Sequence, residues 1–155
     1  LRDLFNRGRQ FAVPRSPHPI QSEGTGTRMG VWIAVAVGGA IGSVARHAVN
    51  HLVHAHWLTT RFPAGTAVIN VTGCFAIGLL TGLIASNRLV LGFYWREFVF
   101  VGVLGGYTTF STFGLDTHML VQTQASQAAL AYVAANMIGG LAAVWLGYAI
   151  GLRAA

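Results

Sequence analysis

The third apolar segment of this 155-residue chain contains the sequence Gly105-Gly106-Tyr107-Thr108-Thr109-Phe110-Ser111-Thr112-Phe113. Adjacent glycines followed by several hydroxyl residues are unfavourable in a continuous membrane helix. Glycine costs about 1 kcal/mol relative to alanine in a helix interior, and Ser and Thr side chains compete for backbone hydrogen bonds. Irregular backbone at membrane depth is tolerated only where it is buried in protein or lines a cavity. The stretch therefore predicts a broken helix at a functional site.

Composition places this break in a membrane protein. The chain is 54% hydrophobic and 9% charged, whereas soluble domains carry roughly 25% charged residues. Its net charge of +6 comes from arginine, and half of the ten arginines lie in residues 1–28, so nucleic-acid binding is not expected. The single cysteine, Cys74, excludes an intrachain disulfide and is interpreted as a packing residue.

Residues 1–28 differ from the rest of the chain. They hold three of the four prolines and lack the hydrophobic core of a signal peptide. We expect a disordered extension, either upstream of the natural start or added to it artificially, followed by a domain over residues 29–155 that begins at Met29. The alternative is a polybasic anchor at the membrane surface.

Four apolar segments then follow, at residues 30–53, 65–85, 97–121 and 127–151. Each is close to the ~20 residues that cross the hydrocarbon core of a bilayer. Short connections leave no extramembrane domain between them. The sequence therefore predicts an all-α membrane protein with four transmembrane helices per chain, the third of them broken.

Small residues recur four positions apart, as Gly38/Gly42, Gly78/Gly82, Gly102/Gly106 and Gly147/Gly151. This spacing lets membrane helices approach closely. The four pairs together indicate either a tight bundle or a close dimer.

The arginines do not strongly favour one orientation. With residues 1–28 set aside, one side of the membrane carries Arg88, Arg96 and Arg153, and the other carries Arg46 and Arg61. Positive charge normally marks the cytoplasmic side, so a chain this balanced is compatible with insertion in both directions.

Arg46 lies within the first span, where a charge is expensive and by default functional. Anchoring at the interface and attraction of an anion are equally good interpretations. His47, His51, His54 and His56 follow it, and the first two have a spacing that could bind zinc. Because nothing in the sequence completes a ligand set, we interpret them as interfacial histidines.

The second span carries Asn70, whose amide offers two N–H donors to an anion, or to a neighbouring helix instead. In the third span, Phe110 and Phe113 would share a face of a helix that begins near Thr109. Their ring edges are electropositive and could contact an anion weakly.

Hydroxyl donors flank the two rings at Ser111 and Thr112. A broken helix also frees carbonyls, which suit a small hard cation, and N–H groups, which suit an anion. Asp116 is interpreted as a polar cap near the interface. On the fourth span, Tyr132 and Asn136 either extend the polar track or make helix–helix contacts.

These residues resemble the Fluc/CrcB family of fluoride channels. The resemblance rests on Gly38-Gly39-Ala40-Ile41-Gly42 with Arg46, on Gly65-Thr66 with Asn70 and Gly73, and on the third-span motif. It extends from about Met29 to the C-terminus.

The resemblance implies an antiparallel, dual-topology homodimer with two fluoride pores and a central structural Na⁺, without an organic cofactor. Backbone carbonyls that hold the sodium fall on Gly105 and Thr108, and the vestibule arginine falls on Arg46. The pore residues fall on Phe110, Phe113, Asn70, Ser111, Thr112 and Tyr132. Two positions depart from the family pattern, since Asp116 replaces a glutamate and Asn136 replaces a serine.

The function expected from this resemblance is passive, fluoride-selective export across the cell (inner or plasma) membrane, which protects the cytoplasm. The partners would be fluoride, a second copy of the chain and lipid. One rival is a dual-topology transporter of cations or small molecules, which would need an embedded acid that the first span lacks. Another is a non-transporting membrane scaffold, which leaves the third-span motif unexplained. An enzyme is not expected, because no nucleophile–base pair is visible.

Overall fold

The computed structural model describes residues 25–56 and 62–154, with the side chains of residues 28–55 and 62–154. Helix α1 is Thr25–His56 and α2 is Ala64–Ala85. Helix α3 consists of Phe93–Arg96, the π-helical Glu97–Leu104 and Gly105–Tyr107. Helix α4 is Phe110–Gln122. Helix α5 consists of Ser126–Ala134, the π-helical Ala135–Gly139 and Gly140–Arg153.

The prediction of four apolar helical spans is confirmed. Candidate spans lie at Arg28–Ala55, Ala64–Ala85, Phe93–Gln122 and Ser126–Arg153, and each contains its predicted segment. Helix α1 begins at Thr25, before the expected boundary at Met29. The rest of the predicted extension, residues 1–24, lies outside the described residues, as does Arg61.

Within the third span, the departure from helical geometry is narrower than the sequence suggests. Only Thr108 and Thr109, between α3 and α4, have extended backbone, with ψ of 159° and 112° respectively. The two preceding glycines are helical. A Cβ atom on Gly106 would lie 2.6 Å from the Gly39 carbonyl oxygen. This glycine therefore allows α3 to pack closely on α1 and does not interrupt the helix.

The four glycine pairs lie in two helix–helix contacts. Gly38 and Gly42 lie against the backbone of Gly102 and Val103, which brings α1 against α3. Gly78 and Gly82 lie against the backbone of Val144 and Tyr148, which brings α2 against α5. A Cβ atom on Gly38 would lie 2.5 Å from the Phe98 carbonyl oxygen, and one on Gly151 would lie 2.5 Å from that of Leu79. The interpretation of these pairs as contacts of a tight bundle is confirmed.

Few large side chains are buried within one chain. Tyr132 is 0% exposed and Ile69 is 1% exposed, whereas Trp145, Phe110 and Trp32 are 81%, 76% and 72% exposed. Apolar surface of this extent is the outer face of a membrane bundle, where lipid or another subunit replaces water.

We predict that Gly38→Ala destabilises the bundle and that the neighbouring Gly39→Ala does not. The new methyl group at position 38 would overlap the backbone of α3, whereas a Cβ on Gly39 has no atom within 4 Å. Overpacking typically costs ~1–3 kcal/mol. The measurement is the thermal unfolding midpoint of each variant in detergent micelles. Equal midpoints for the two variants would contradict the packing of α1 on α3.

Candidate functional site

The backbone of α4 begins at a threonine cap inside the third span. The Thr109 side chain accepts a hydrogen bond from the Thr112 backbone N–H, with N and Oγ1 3.2 Å apart. Helix α4 therefore begins at Phe110, which confirms the predicted start near Thr109. The hydroxyls of Thr109 and Thr112 also lie 2.9 Å apart, with Thr109 donating.

Asn70 of α2 forms hydrogen bonds with both backbone groups of Thr109. Its Oδ1 accepts from the Thr109 N–H at 2.9 Å, and its Nδ2 donates to the Thr109 carbonyl at 3.2 Å. Nδ2 also donates to Asn136 Oδ1 of α5 at 2.8 Å. Both N–H donors that the sequence offered to an anion are thus engaged within the chain. This arrangement fits the interpretation of Asn70 and Asn136 as residues that make helix–helix contacts.

These bonds leave two carbonyls without their helical donors. In a continuous α-helix, the N–H of residue i+4 donates to the carbonyl of residue i. The Thr109 N–H, which would serve Gly105, donates to Asn70 instead, and the Thr112 N–H, which would serve Thr108, donates to Thr109 Oγ1. The Gly105 and Thr108 carbonyls lie at the negative end of α3, and oxygen ligands suit a hard cation. The residues predicted to hold sodium therefore fit such an ion.

A groove of about 330 Å³ runs along this part of the third span. It brings together most of the predicted site, because its lining includes Asn70, Gly105, Thr108, Phe110, Phe113 and Asn136. Ser111 and Thr112 do not line it. The predicted cation ligands and the predicted pore rings thus share one open surface.

The two phenylalanines differ in their surroundings. Phe110 is 76% exposed, whereas Phe113 is 8% exposed, and their ring centroids are 5.5 Å apart at 48°. Phe113 also packs on Tyr132 at 5.5 Å, and Tyr132 meets the Phe62 ring edge to face at 5.6 Å. A row of four aromatic rings therefore leads from the core to the groove.

The remaining hydroxyls lie on another side of α4. A second cavity, of about 230 Å³, is lined by Thr112 and by residues of α1 that include Arg46 and Asn50. Ser111 is exposed, and its Oγ is 3.4 Å from Thr109 Oγ1. Thr109, which lines both the groove and this cavity, therefore lies between them, whereas Thr112 lines the cavity alone.

Asp116 has a role that the sequence did not reveal. Thr66 Oγ1 and Tyr132 Oη both donate to its Oδ2, each at 2.9 Å. One carboxylate oxygen thus joins α2, α4 and α5. Tyr132, predicted as a pore residue, is fully buried in this contact. The one available signal was that Thr66 lies a turn before Asn70 on the same face of α2.

The histidines of α1 remain near its end. His47 and His51 are exposed, and His54 Nδ1 donates to the Asn50 carbonyl at 2.8 Å. Within residues 25–56 and 62–154, no group of three or more His, Cys, Asp or Glu side chains could hold a metal ion. The side chain of His56 lies outside the described residues.

Comparison with known proteins supports the assignment from these residues. Residues 33–148 match the family described as CrcB-like protein, Camphor Resistance (CrcB). A protein of Methylobacillus flagellatus, named Fluoride-specific ion channel FluC, is 43% identical over 114 residues, covering 74% of this chain and 88% of the relative.

Two further relatives carry the same name. The protein of Rhodospirillum centenum is 44% identical over 124 residues, which cover 76% of this chain and 92% of the relative. That of Opitutus terrae is 44% identical over 128 residues, which cover 81% and 96%. The resemblance seen in the sequence is confirmed, and the chain belongs to the CrcB family.

Proposed function

We propose that this chain forms a fluoride-selective channel that exports fluoride passively and so protects the cytoplasm from it. The observation that carries the proposal is the groove in which Phe110 and Phe113 lie beside polar groups of the third span. Relatives that align with three quarters or more of the chain, named fluoride-specific ion channels, support it. The chain would work as a multi-pass protein of the cell membrane and not as an enzyme.

The physical requirement is to replace the water around a small anion without trapping it. Conduction needs enough donors for the ion to enter and weak enough binding for it to leave. Ring edges of Phe110 and Phe113 and the hydroxyls of Ser111 and Thr112 meet both demands, because none carries a fixed positive charge. Arg46 lines a separate cavity and would raise the local concentration of anions at the vestibule.

Two predicted pore residues take more indirect roles in this proposal. Asn70 could donate to fluoride only by giving up its bond to Asn136 or to the Thr109 carbonyl. Tyr132 would act through the packing of its ring on Phe113, since its hydroxyl is held by Asp116. In the cell, HF would enter from an acidic exterior and dissociate, and the anion would leave down its gradient.

An antiparallel homodimer, with two pores and the break of the third helix at its centre, completes the proposal. It is supported by the exposure of Phe110 and by Gly105, where a Cβ atom would meet nothing closer than 3.8 Å. A two-fold axis would bring the donor-free carbonyls of Gly105 and Thr108 from both copies together. A sodium ion bound there would supply the positive charge that these carbonyls need.

A cation transporter is less well supported. Its proton-coupled mechanism would need a free embedded acid, but α1 contains no acidic residue and Asp116 of α4 accepts two hydroxyl hydrogen bonds. A scaffold without transport would not need the groove.

For this function, the first prediction is selective fluoride efflux from liposomes that contain the purified protein. Fluoride should leave on dilution into fluoride-free buffer, while chloride in a parallel preparation should stay inside. Ion-selective electrodes measure both. No fluoride efflux, or equal efflux of the two ions, would contradict the proposed function.

The second prediction concerns the rings. Phe110→Ile should slow fluoride efflux by about tenfold, the equivalent of an aromatic contact worth ~1.4 kcal/mol. Because Phe110 is exposed within the protomer, its substitution should leave the fold intact. Phe113→Ile should slow efflux similarly and also lower the melting temperature, since Phe113 is buried. Leu115→Ile, on the exposed surface of the same helix, is the matched control, and efflux equal to that control would remove the rings from the mechanism.

The third prediction concerns topology. In a Cys74→Ala background, Val90→Cys places one thiol in the connection between α2 and α3, where Val90 is 87% exposed. A membrane-impermeant maleimide applied to intact cells should label about half of the copies, because an antiparallel pair presents this connection once on each side. Labelling of all copies or of none would contradict dual topology.

A further inference from the structure

We propose that Asn136 is a positioning residue that fixes the Asn70 amide against the backbone of Thr109. Through this contact it keeps the Gly105 carbonyl, one of the two that fit a cation, free of its helical hydrogen-bond donor. The inference rests on the cation site of the proposed function. It deepens that proposal, because it names a residue that keeps a carbonyl ligand available to the cation.

The orientation of the Asn70 amide decides whether it can hold Thr109. Its oxygen must face the Thr109 N–H and its nitrogen must face the Thr109 carbonyl, as the distances of 2.9 and 3.2 Å show. Asn136 presents an oxygen 2.8 Å from Asn70 Nδ2, and an oxygen can accept only from the nitrogen side of an amide. Asn136 therefore favours the one orientation that pairs with Thr109.

Asn136 is itself held firmly enough to do this. Its own Nδ2 donates to the Tyr132 carbonyl at 3.0 Å, and its side chain is only 5% exposed. It lies in the π-helical turn Ala135–Gly139, where α5 is widened, and π-turns are frequent at functional positions. Gly140, one residue beyond that turn, brings α5 close to Cys74 of α2.

Loss of this support would change the backbone of the third span. A Thr109 N–H released by Asn70 would alternate between having no partner, which speeds its exchange with solvent, and donating to the Gly105 carbonyl, its acceptor in a continuous helix. That bond would occupy one of the two carbonyls that fit a cation.

The test compares one substitution with a matched control in the full-length protein. Asn136→Leu fills a similar volume but accepts no hydrogen bond. Ser86→Ala removes a different hydrogen bond between the same two helices, from Ser86 Oγ to the Gly151 carbonyl at 3.2 Å, far from Thr109. If Asn136→Leu is not recovered as folded protein, Asn136→Ala replaces it.

Two quantities are measured in detergent micelles. Hydrogen–deuterium exchange follows the Thr109 amide, and melting temperatures in sodium chloride, replaced stepwise by N-methylglucamine chloride, give the half-saturating sodium concentration. In Asn136→Leu, exchange at Thr109 should accelerate, and the half-saturating concentration should rise about three- to tenfold, the effect of one interhelical hydrogen bond. Ser86→Ala should behave as the wild type.

The outcomes separate this inference from the proposed function. Exchange and sodium curves for Asn136→Leu that match those of Ser86→Ala would overturn it. Faster exchange with an unchanged sodium curve would overturn the link to the carbonyls. A wild type whose melting ignores sodium would overturn the cation site and this inference with it, while fluoride efflux from the same preparation would still test the channel.

Discussion

Backbone N–H and C=O groups inside a bilayer have no water to bind, so each must find a partner within the protein or a ligand. At Thr109 that constraint is met by a single side chain, because Asn70 provides an acceptor for the N–H and a donor for the carbonyl. The extended backbone of Thr108 and Thr109 could not persist at this depth without that pairing. The donor-free carbonyl of Gly105 follows from this pairing, and the start of α4 follows from the Thr109 cap beside it.

Asn70 also contributes to the contacts between two parts of the bundle. The four glycine pairs hold α1 to α3 and α2 to α5, and Gly65 and Gly73 of α2 approach α1 and the third span. The hydrogen bonds from α2 to Thr109, and those that bring Thr66 and Tyr132 to Asp116, cross between the pairs. Polar contacts of this kind specify alignment, which close packing of small residues alone leaves open.

The sequence predicted the features that depend on local composition. Hydropathy located the four spans, and the start of α4 near Thr109 followed from the hydroxyl-rich motif. The hydrogen-bond partners of Asn70 could not be predicted in this way, since its amide could bind either an ion or a neighbouring helix. Gly106 was expected to disfavour a helix, yet it is helical. Its lack of a side chain instead allows close contact with Gly39, which is distant in sequence.

The amide and hydroxyl donors of this region differ in how freely they could follow a passing anion. Both N–H groups of the Asn70 amide donate to other residues, so this amide would have to break one bond to follow an ion. A hydroxyl can rotate its hydrogen toward a new acceptor without moving its oxygen. In the proposed channel, Ser111 and Thr112, whose hydroxyl contacts go to the single hydroxyl of Thr109, would therefore be the donors best suited to a moving fluoride, while the Asn70 amide would maintain the backbone past which it moves.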